Sequence, residues 1–333
     1  MLKNNFRIIS GGDITAQIAP CVKSIRYSDS LKNESDSCEI VLADPTQVFL
    51  RKPPISKNNE VKVEFIGGNF TLHLGTFNAD EISYKMNPCE MTIKLNSLSQ
   101  DTKLRGIEKN RSWEMVNLSK VCSDIANDAG LKLIYQVKDD PEIKRLEQSQ
   151  QPDLEFLSGV CRNYALALKI HDKKMVIFDE ADYEKRGAVK QIVNGDGNIL
   201  DFRGNTTAND IYEGASVSYM TNGINEWLFG GFSFGGILGD LIKNFENSGE
   251  LPIFERVDSV AESEKLASSR LHEKNKKETT IDFKTIGSFD LLAGNTIEIA
   301  GYGIYDGKYL IDRADHTMND GGYITSINGH KAQ

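Results

Sequence analysis

The side chains in this sequence best equipped for chemistry are five histidines, five cysteines and two pairs of neighbouring carboxylates. His73, His171, His272, His316 and His330 are dispersed along the chain, and no two have the one-turn spacing that turns a pair of imidazoles toward zinc on one helical face. Cys21, Cys38, Cys89, Cys122 and Cys161 are odd in number, widely separated and form no CxxC pair. They read as free thiols in a reducing compartment. Asp80-Glu81 and Asp179-Glu180 are adjacent acids. Consecutive strand residues point to opposite faces, so neither pair can share acid–base work on a strand. Gly230-Gly231 and Gly235-Gly236 resemble phosphate-loop glycines but lack the Lys-Ser/Thr of a P-loop and the strand and acid of a dinucleotide fold. His316 is expected to pack across strands. No catalytic, cofactor-binding or metal residue is assigned, and a protein without enzymatic activity is expected.

The elements that would position these residues fall into three blocks. Residues 1–105 read as β: short alternating runs at 6–9, 22–27, 37–43 and 61–66, then a hairpin over 75–96. Cys38, Ile40 and Leu42 share one face of the third run. The pattern changes over 106–187. Leu118, Val121, Cys122, Ile125 and Ala129 recur at helical spacing with Gly130 as the stop, and a second amphipathic helix over 153–165 has Asp153 or Ser149 as its cap. A strand over 131–135 and a hairpin around Asp172-Lys173 complete a small α/β insert. Residues 188–333 return to β, with a charged helix over 259–275 carrying Ala261, Leu266, Ala267 and Leu271. Inside this block, 223–257 is apolar and Gly-rich. It reads either as a loop or short helix packed on its own domain, or as a surface that meets a partner. Trp227, Leu228, Phe229, Phe232, Phe234, Ile237 and Leu238 are the partner-contact candidates.

Residues 307–328 echo 75–96 without a gap. Gly75 falls on Gly307, Phe77 on Tyr309, Asp80 on Asp312, Met86-Asn87 on Met318-Asn319 and Asn96 on Asn328. Two copies of one β-module are therefore expected, one near each end of the 333-residue chain. Composition is that of a globular protein, 39% hydrophobic and 26% charged, with a net charge of −9. That balance argues against a broad nucleic-acid footprint. The N-terminus has no signal-peptide pattern, and no run reaches the roughly 18 apolar residues of a membrane span. Synthesis and folding in the cytoplasm are expected.

Several stretches, in this order, resemble relatives of phage late control protein D. They are GGDITAQIAP (11–20), LGTFNADEIS (74–83), RSWEMVNLSKVCSDIANDAGLKLIY (111–135), QSQQPDLEFLSGVCRNYALALKIHDKKMVIFDE (148–180) and DGKYLIDRADHTMNDGGYITSINGH (306–330). Residues 223–257 have no counterpart in the resemblance. It implies an α+β, mainly β fold, with two similar β-barrels flanking the insert. It implies a homotrimeric baseplate hub of a contractile tail or tailocin-like injection system, a ring whose six barrels match a hexameric tail tube on one side and a trimeric spike on the other. Duplication would let a three-fold object imitate six-fold symmetry. Tape-measure protein and baseplate wedge are further implied partners; nucleic acid is not. The site would be virion or baseplate, assembled from protein made in the bacterial cytoplasm. Two alternatives stay open at this point: a tail-associated peptidoglycan hydrolase, which needs a convergent carboxylate or Cys-His site, and a DNA-binding regulator, which needs a basic recognition face.

Overall fold

Strand alternation organises the first part of the chain. β1 (Phe6–Ile9), β2 (Val22–Ser30), β3 (Ser37–Ala43), β4 (Glu60–Gly67), β5 (Phe70–Met86) and β6 (Cys89–Asn96) pair in the order β1-β4-β5-β6-β3-β2. Cys38, Ile40 and Leu42 on β3 and Val61, Val63 and Phe65 on β4 are all buried in one core with Phe77 and Ile93. Two short helices, α1 (Thr15–Ile18) and α2 (Val48–Arg51), lie in the connections. The computed structural model describes residues 5–332 except 33–34, 69, 98–103, 165, 221–226, 234–248 and 254–259; for 218–220, 227–233 and 260–262 it describes the backbone alone.

The insert holds β7 (Glu108–Asn117), α3 (Leu118–Asp128), β8 (Lys132–Gln136), β9 (Glu142–Pro152), α4 (Asp153–Asn163), β10 (Leu166–His171), β11 (Lys174–Asp179) and α5 (Glu180–Glu184). β10, β11 and β8 form a three-stranded sheet in which β11 runs parallel to β8. The apolar faces of α3 and α4 close over it, with Val121, Cys122, Ile125, Leu157 and Cys161 buried. Gly130 takes φ 68° where α3 stops, the left-handed position that favours glycine. β7 and β9 form a separate two-stranded ribbon that the sequence pattern did not announce. Its residues are mostly polar and exposed, so it has no apolar period to read. Neither expected cap of α4 is one: Ser149 lies in β9, and Asp153 is the first helical residue, preceded by Pro152. Its buried carboxylate instead accepts hydrogen bonds from Gln148 at 2.8 Å and Lys109 at 2.5 Å.

The remaining strands are β12 (Lys190–Val193), β13 (Ile199–Thr206), β14 (Gly214–Met220), β15 (Trp227–Ser233), β16 (Glu250–Ile253), β17 (Thr279–Ile286), β18 (Thr296–Ala300), β19 (Gly307–Asn319) and β20 (Gly322–Lys331), with α6 (Val260–Asn275) between β16 and β17. β15, β14 and β16 make a small sheet on which Leu266, Ala267 and Leu271 of α6 are buried. The expected loop or short helix is thus corrected over 227–233: that stretch pairs antiparallel with β14.

The other six strands repeat the first module. β12-β18-β19-β20-β17-β13 has the neighbour order of β1-β4-β5-β6-β3-β2. Val63 faces Gly75 as Ile299 faces Gly307, and Val61 faces Phe77 as Ile297 faces Tyr309. Each hairpin has a register shift at the aspartate of the echo, Asp80 in one and Asp312 in the other. Two differences stand out. β1 is antiparallel to β4 whereas β12 is parallel to β18. The return strand is also displaced by two residues: Asn78 pairs with Asn96 but Leu310 pairs with His330, so His330 and not Asn328 occupies the place of Asn96. An even displacement keeps every side chain on its face.

The chain is α+β and mainly β, but the modules are not closed barrels. β2 would have to meet β1 to close the first; instead its free edge pairs with residues 313–319 of β19, and a single 12-stranded sheet results.

Candidate functional site

The hairpin residues singled out in the sequence are structural. Gly75 and Gly307 hold φ values of 113° and 132°, where a side chain would be strained. Phe77 and Tyr309 are fully buried, and the Tyr309 hydroxyl donates to the Tyr305 carbonyl at 2.8 Å. Asp80 and Asp312 sit at the bulges. Together they bend each long strand so that one half pairs with β4 or β18 and the other half is free to meet a different partner.

That second half is where the two modules differ. On β19 it is covered by β2. On β5 the matching residues, 81–86, pair with β6 on one side and with no strand on the other among the described residues. Glu81, Ser83, Lys85 and Met86 there are exposed. β13, the counterpart of β2, pairs with β17 and presents its other edge bare among the described residues. Each module thus offers half of a junction that the chain itself makes only once.

Of the partner-contact candidates, Trp227, Leu228, Phe229 and Phe232 lie on β15, with their backbones opposite Met220, Tyr219, Ser218 and Ala215. Phe234, Ile237 and Leu238 lie outside the described residues. The same region carries Gly231-Phe232-Ser233-Phe234-Gly235, the spacing of a nucleophile elbow. Ser233 is in a strand ladder opposite Gly214, whereas an elbow needs its serine on a strand-to-helix turn.

His73 pairs with Glu64 at an exposed position, its Nδ1 2.7 Å from the carboxylate, and the other four histidines separate into three roles. His316 is buried between the rings of Tyr27 and Tyr323, at 6.0 and 5.9 Å, with Nδ1 2.7 Å from the Tyr323 hydroxyl. Burial pushes its pKa down to about 4. It packs, as expected. His171 sits 2.5 Å from the buried Asp36, to which Tyr27 donates at 3.2 Å. Lys169 bridges Asp36 and Asp29, and Ala293 N donates to Asp29 at 2.9 Å. Burial raises the Asp29 carboxyl to about 6 against the pull of Lys169. This cluster joins β2, β10 and the approach to β18 beside a cavity of about 280 Å³.

His272 and His330 meet in a place that sequence spacing did not reveal. Glu180 and Glu184 lie one turn apart on α5. Asp179 caps that helix by accepting from Ala181 N at 2.9 Å, so Asp179 and Glu180 are not the consecutive strand residues that the sequence leads one to expect. His272 Nε2 is 2.9 Å and His330 Nε2 is 3.1 Å from the same oxygen, Glu184 Oε1. His330 Nδ1 is 2.7 Å from Asp312 Oδ2. Lys32 and Lys276 bridge Glu180 and Glu273. Burial opposes the charge of Glu273, but the two lysines outweigh it and hold its pKa at about 2. Four residues separated by up to 150 positions leave no local motif, which is why the sequence reading found the histidines dispersed.

With the twelve strands and the insert in place, solved structures of the same shape can be compared. The chain aligns with the 43 kDa tail protein of prophage MuSo2 from Shewanella oneidensis over 98% of both chains, with a TM-score of 0.71 at 15% identity. It has the fold of a prophage tail protein. A tail protein from Neisseria meningitidis aligns over 98% of this chain and 96% of its own, with a TM-score of 0.73 at 11% identity. An E. coli type VI secretion component, described as structurally similar to bacteriophage T4 tail proteins, covers 94% of this chain and 74% of its own, at a TM-score of 0.58 and 11% identity. No family model matches the sequence, and neither does any curated protein. The tail-protein fold spans the insert as well as both modules. No helix among the described residues is long and apolar enough to cross a membrane.

Proposed function

We propose that this chain is a structural hub of a phage-like contractile tail, a late control protein D relative that trimerises into a ring between the tail tube and the spike. The observation that carries this is the repeated module with a junction that the chain makes only once. Within one chain, β2 of the first module pairs with β19 of the second. The equivalent pairing, β13 against residues 81–86 of β5, cannot be made within the chain, because both partners are already placed. It is available between chains. Three copies linked this way present six modules in a closed ring, and cyclic closure satisfies every junction.

In this reading, 1–105 and 188–333 are the two hub domains and 106–187 is an insert projecting from the ring. The strand and following segment with Trp227, Leu228, Phe229, Phe232, Phe234, Ile237 and Leu238 meet the spike, the tape-measure end or a neighbouring subunit. The solved structures of similar fold, tail proteins and a secretion component, support a tail role. The roles of the chain are mechanical and no catalysis is assigned.

Size-exclusion chromatography with light scattering, over a wide concentration range, tests the ring. A mass near three times 37.1 kDa is expected. A stable dimer, or a monomer that stays monomeric when mixed with tube and spike proteins, would overturn it.

A further inference from the structure

We propose that Glu184, His272 and His330, with Glu180 beside them, form a site for a divalent transition metal of the zinc class, which fastens the insert, α6 and the last strand together. The ligand atoms of all four residues lie within 4.8 Å of one another. Tetrahedral ligands about 2.1 Å from a metal stand about 3.4 Å apart. The separations here bracket that value: 2.9 and 3.1 Å from the two imidazoles to Glu184, and 3.9 Å from His330 Nε2 to Glu180 Oε1. Two imidazoles and two carboxylates are a nitrogen–oxygen donor set of the kind zinc and its neighbours accept.

The surroundings fit as well as the ligands. Asp312 accepts from His330 Nδ1, which sets the tautomer and aims the Nε2 lone pair at the centre, the usual outer-shell arrangement of a metal-bound histidine. A lone pair facing the Glu184 carboxylate at 3.1 Å is repulsive unless a metal cation or a proton stands between them. Charge balance points the same way. Glu180, Glu184, Glu273 and Asp312 bring four negative charges, and Lys32 and Lys276 bring two positive ones. Two negative charges remain if both imidazoles are neutral, and Glu184 and His330 are almost wholly buried. One divalent cation cancels them. Glu180 shares Oε1 with Lys276 at 3.3 Å, so it is the weakest ligand and the one a water would replace. Glu180 and His272 also line a cleft of about 1030 Å³, which provides an ion with a route in.

The rival state has the same contacts with both imidazoles protonated and no metal. Three measurements on the full chain separate the two. Protein purified in chelator-free buffer is assayed for metals by mass spectrometry, stripped with 1,10-phenanthroline and melted with and without added zinc. One equivalent of metal per chain is expected, with a melting temperature lowered by stripping and restored by zinc. Glu184→Gln and His272→Gln should each lose the metal and the zinc response while remaining folded. Should either variant fail to fold, cobalt(II) added to the stripped wild-type chain supplies the readout, since four-coordinate nitrogen–oxygen ligation gives an intense visible spectrum. Trace metal only, a melting curve indifferent to zinc, or equal zinc uptake by His272→Gln and wild type would overturn the proposal and assign the cluster to protonated imidazoles.

Discussion

His316 shows how a single residue couples a module core to pH. Its imidazole is neutral because burial between Tyr27 and Tyr323 disfavours the cation and moves its pKa from 6.5 to about 4. The unfolded chain binds a proton near pH 6.5, and the folded chain resists one until about pH 4. The stability tied to neutral His316 is therefore complete above pH 6.5 and is lost as pH falls toward 4. A shift of this size corresponds to about 3 kcal/mol. Urea midpoints for wild type and His316→Gln, compared at pH 7 and pH 4.5, should differ less at the lower pH. A difference that does not change with pH would mean that His316 is not held neutral. The same ring pair makes Gly287 sensitive. A Cβ there would lie 1.9 Å from Tyr323 Cδ1, close to the base of a ring packed against Phe65, Phe289 and His316. Gly287→Ala should cost about 1–3 kcal/mol, measurable as a lower urea midpoint, as overpacking in a filled core does.

At the scale of elements, legibility followed amphipathicity. β3, α3 and the β10–β11 hairpin were readable because buried residues such as Cys38, Ile40 and Leu42, or Leu118, Val121 and Ile125, recur at the period of their element. The ribbon β7–β9 was not, because its stability comes from scattered contacts. Trp113 stacks on Phe156 with centroids 5.6 Å apart, and Asp153 gathers Lys109, Arg111 and Gln148 from both strands. The echo between the hairpins was readable over β5 and β19 but misaligned beyond the turn. A two-residue displacement preserves facing and so leaves the hydrophobic pattern intact. The histidine–glutamate cluster was invisible for a different reason, since its members come from α5, α6 and β20. A test of the ribbon follows from Asp153. Asp153→Ala leaves Lys109 and Arg111 with the partly exposed Asp128 alone, and removing one partner of a buried ion pair costs about 3 kcal/mol. In a Trp227→Phe background, Trp113 emission should shift red at lower urea than the loss of β-sheet circular dichroism, because the insert has its own core. Coincident transitions would show that the insert does not unfold separately.

At the scale of the whole molecule, the repeat predicts not only that copies associate but which residues face each other. Within the chain, Ser24 to Ser30 of β2 face Asn319 to Arg313 of β19. The ladders β2–β3–β6 and β13–β17–β20 superpose Tyr27 on Gly204 and Ser28 on Asn205, once Asn96 is matched to His330. Asp315, opposite Ser28, corresponds to Ser83 in the first module. Transferred to neighbouring copies, the junction places Asn205 of one opposite Ser83 of the next, both exposed in the single chain, and Phe202 opposite Met86. The cysteine pair Ser83→Cys and Asn205→Cys would then have Cβ atoms about 4.5–5.5 Å apart, close enough to bridge with small adjustments. Under mild oxidation the double variant should run as dimers and closed trimers on a non-reducing gel, and either single variant should not cross-link at this junction. Moving one cysteine by a residue, to Tyr84→Cys with Asn205→Cys, turns it to the opposite face and should abolish the bridge. Efficient cross-linking of that shifted pair, or none in the first, would mean that the copies meet along some other surface and that the repeat serves the single chain alone.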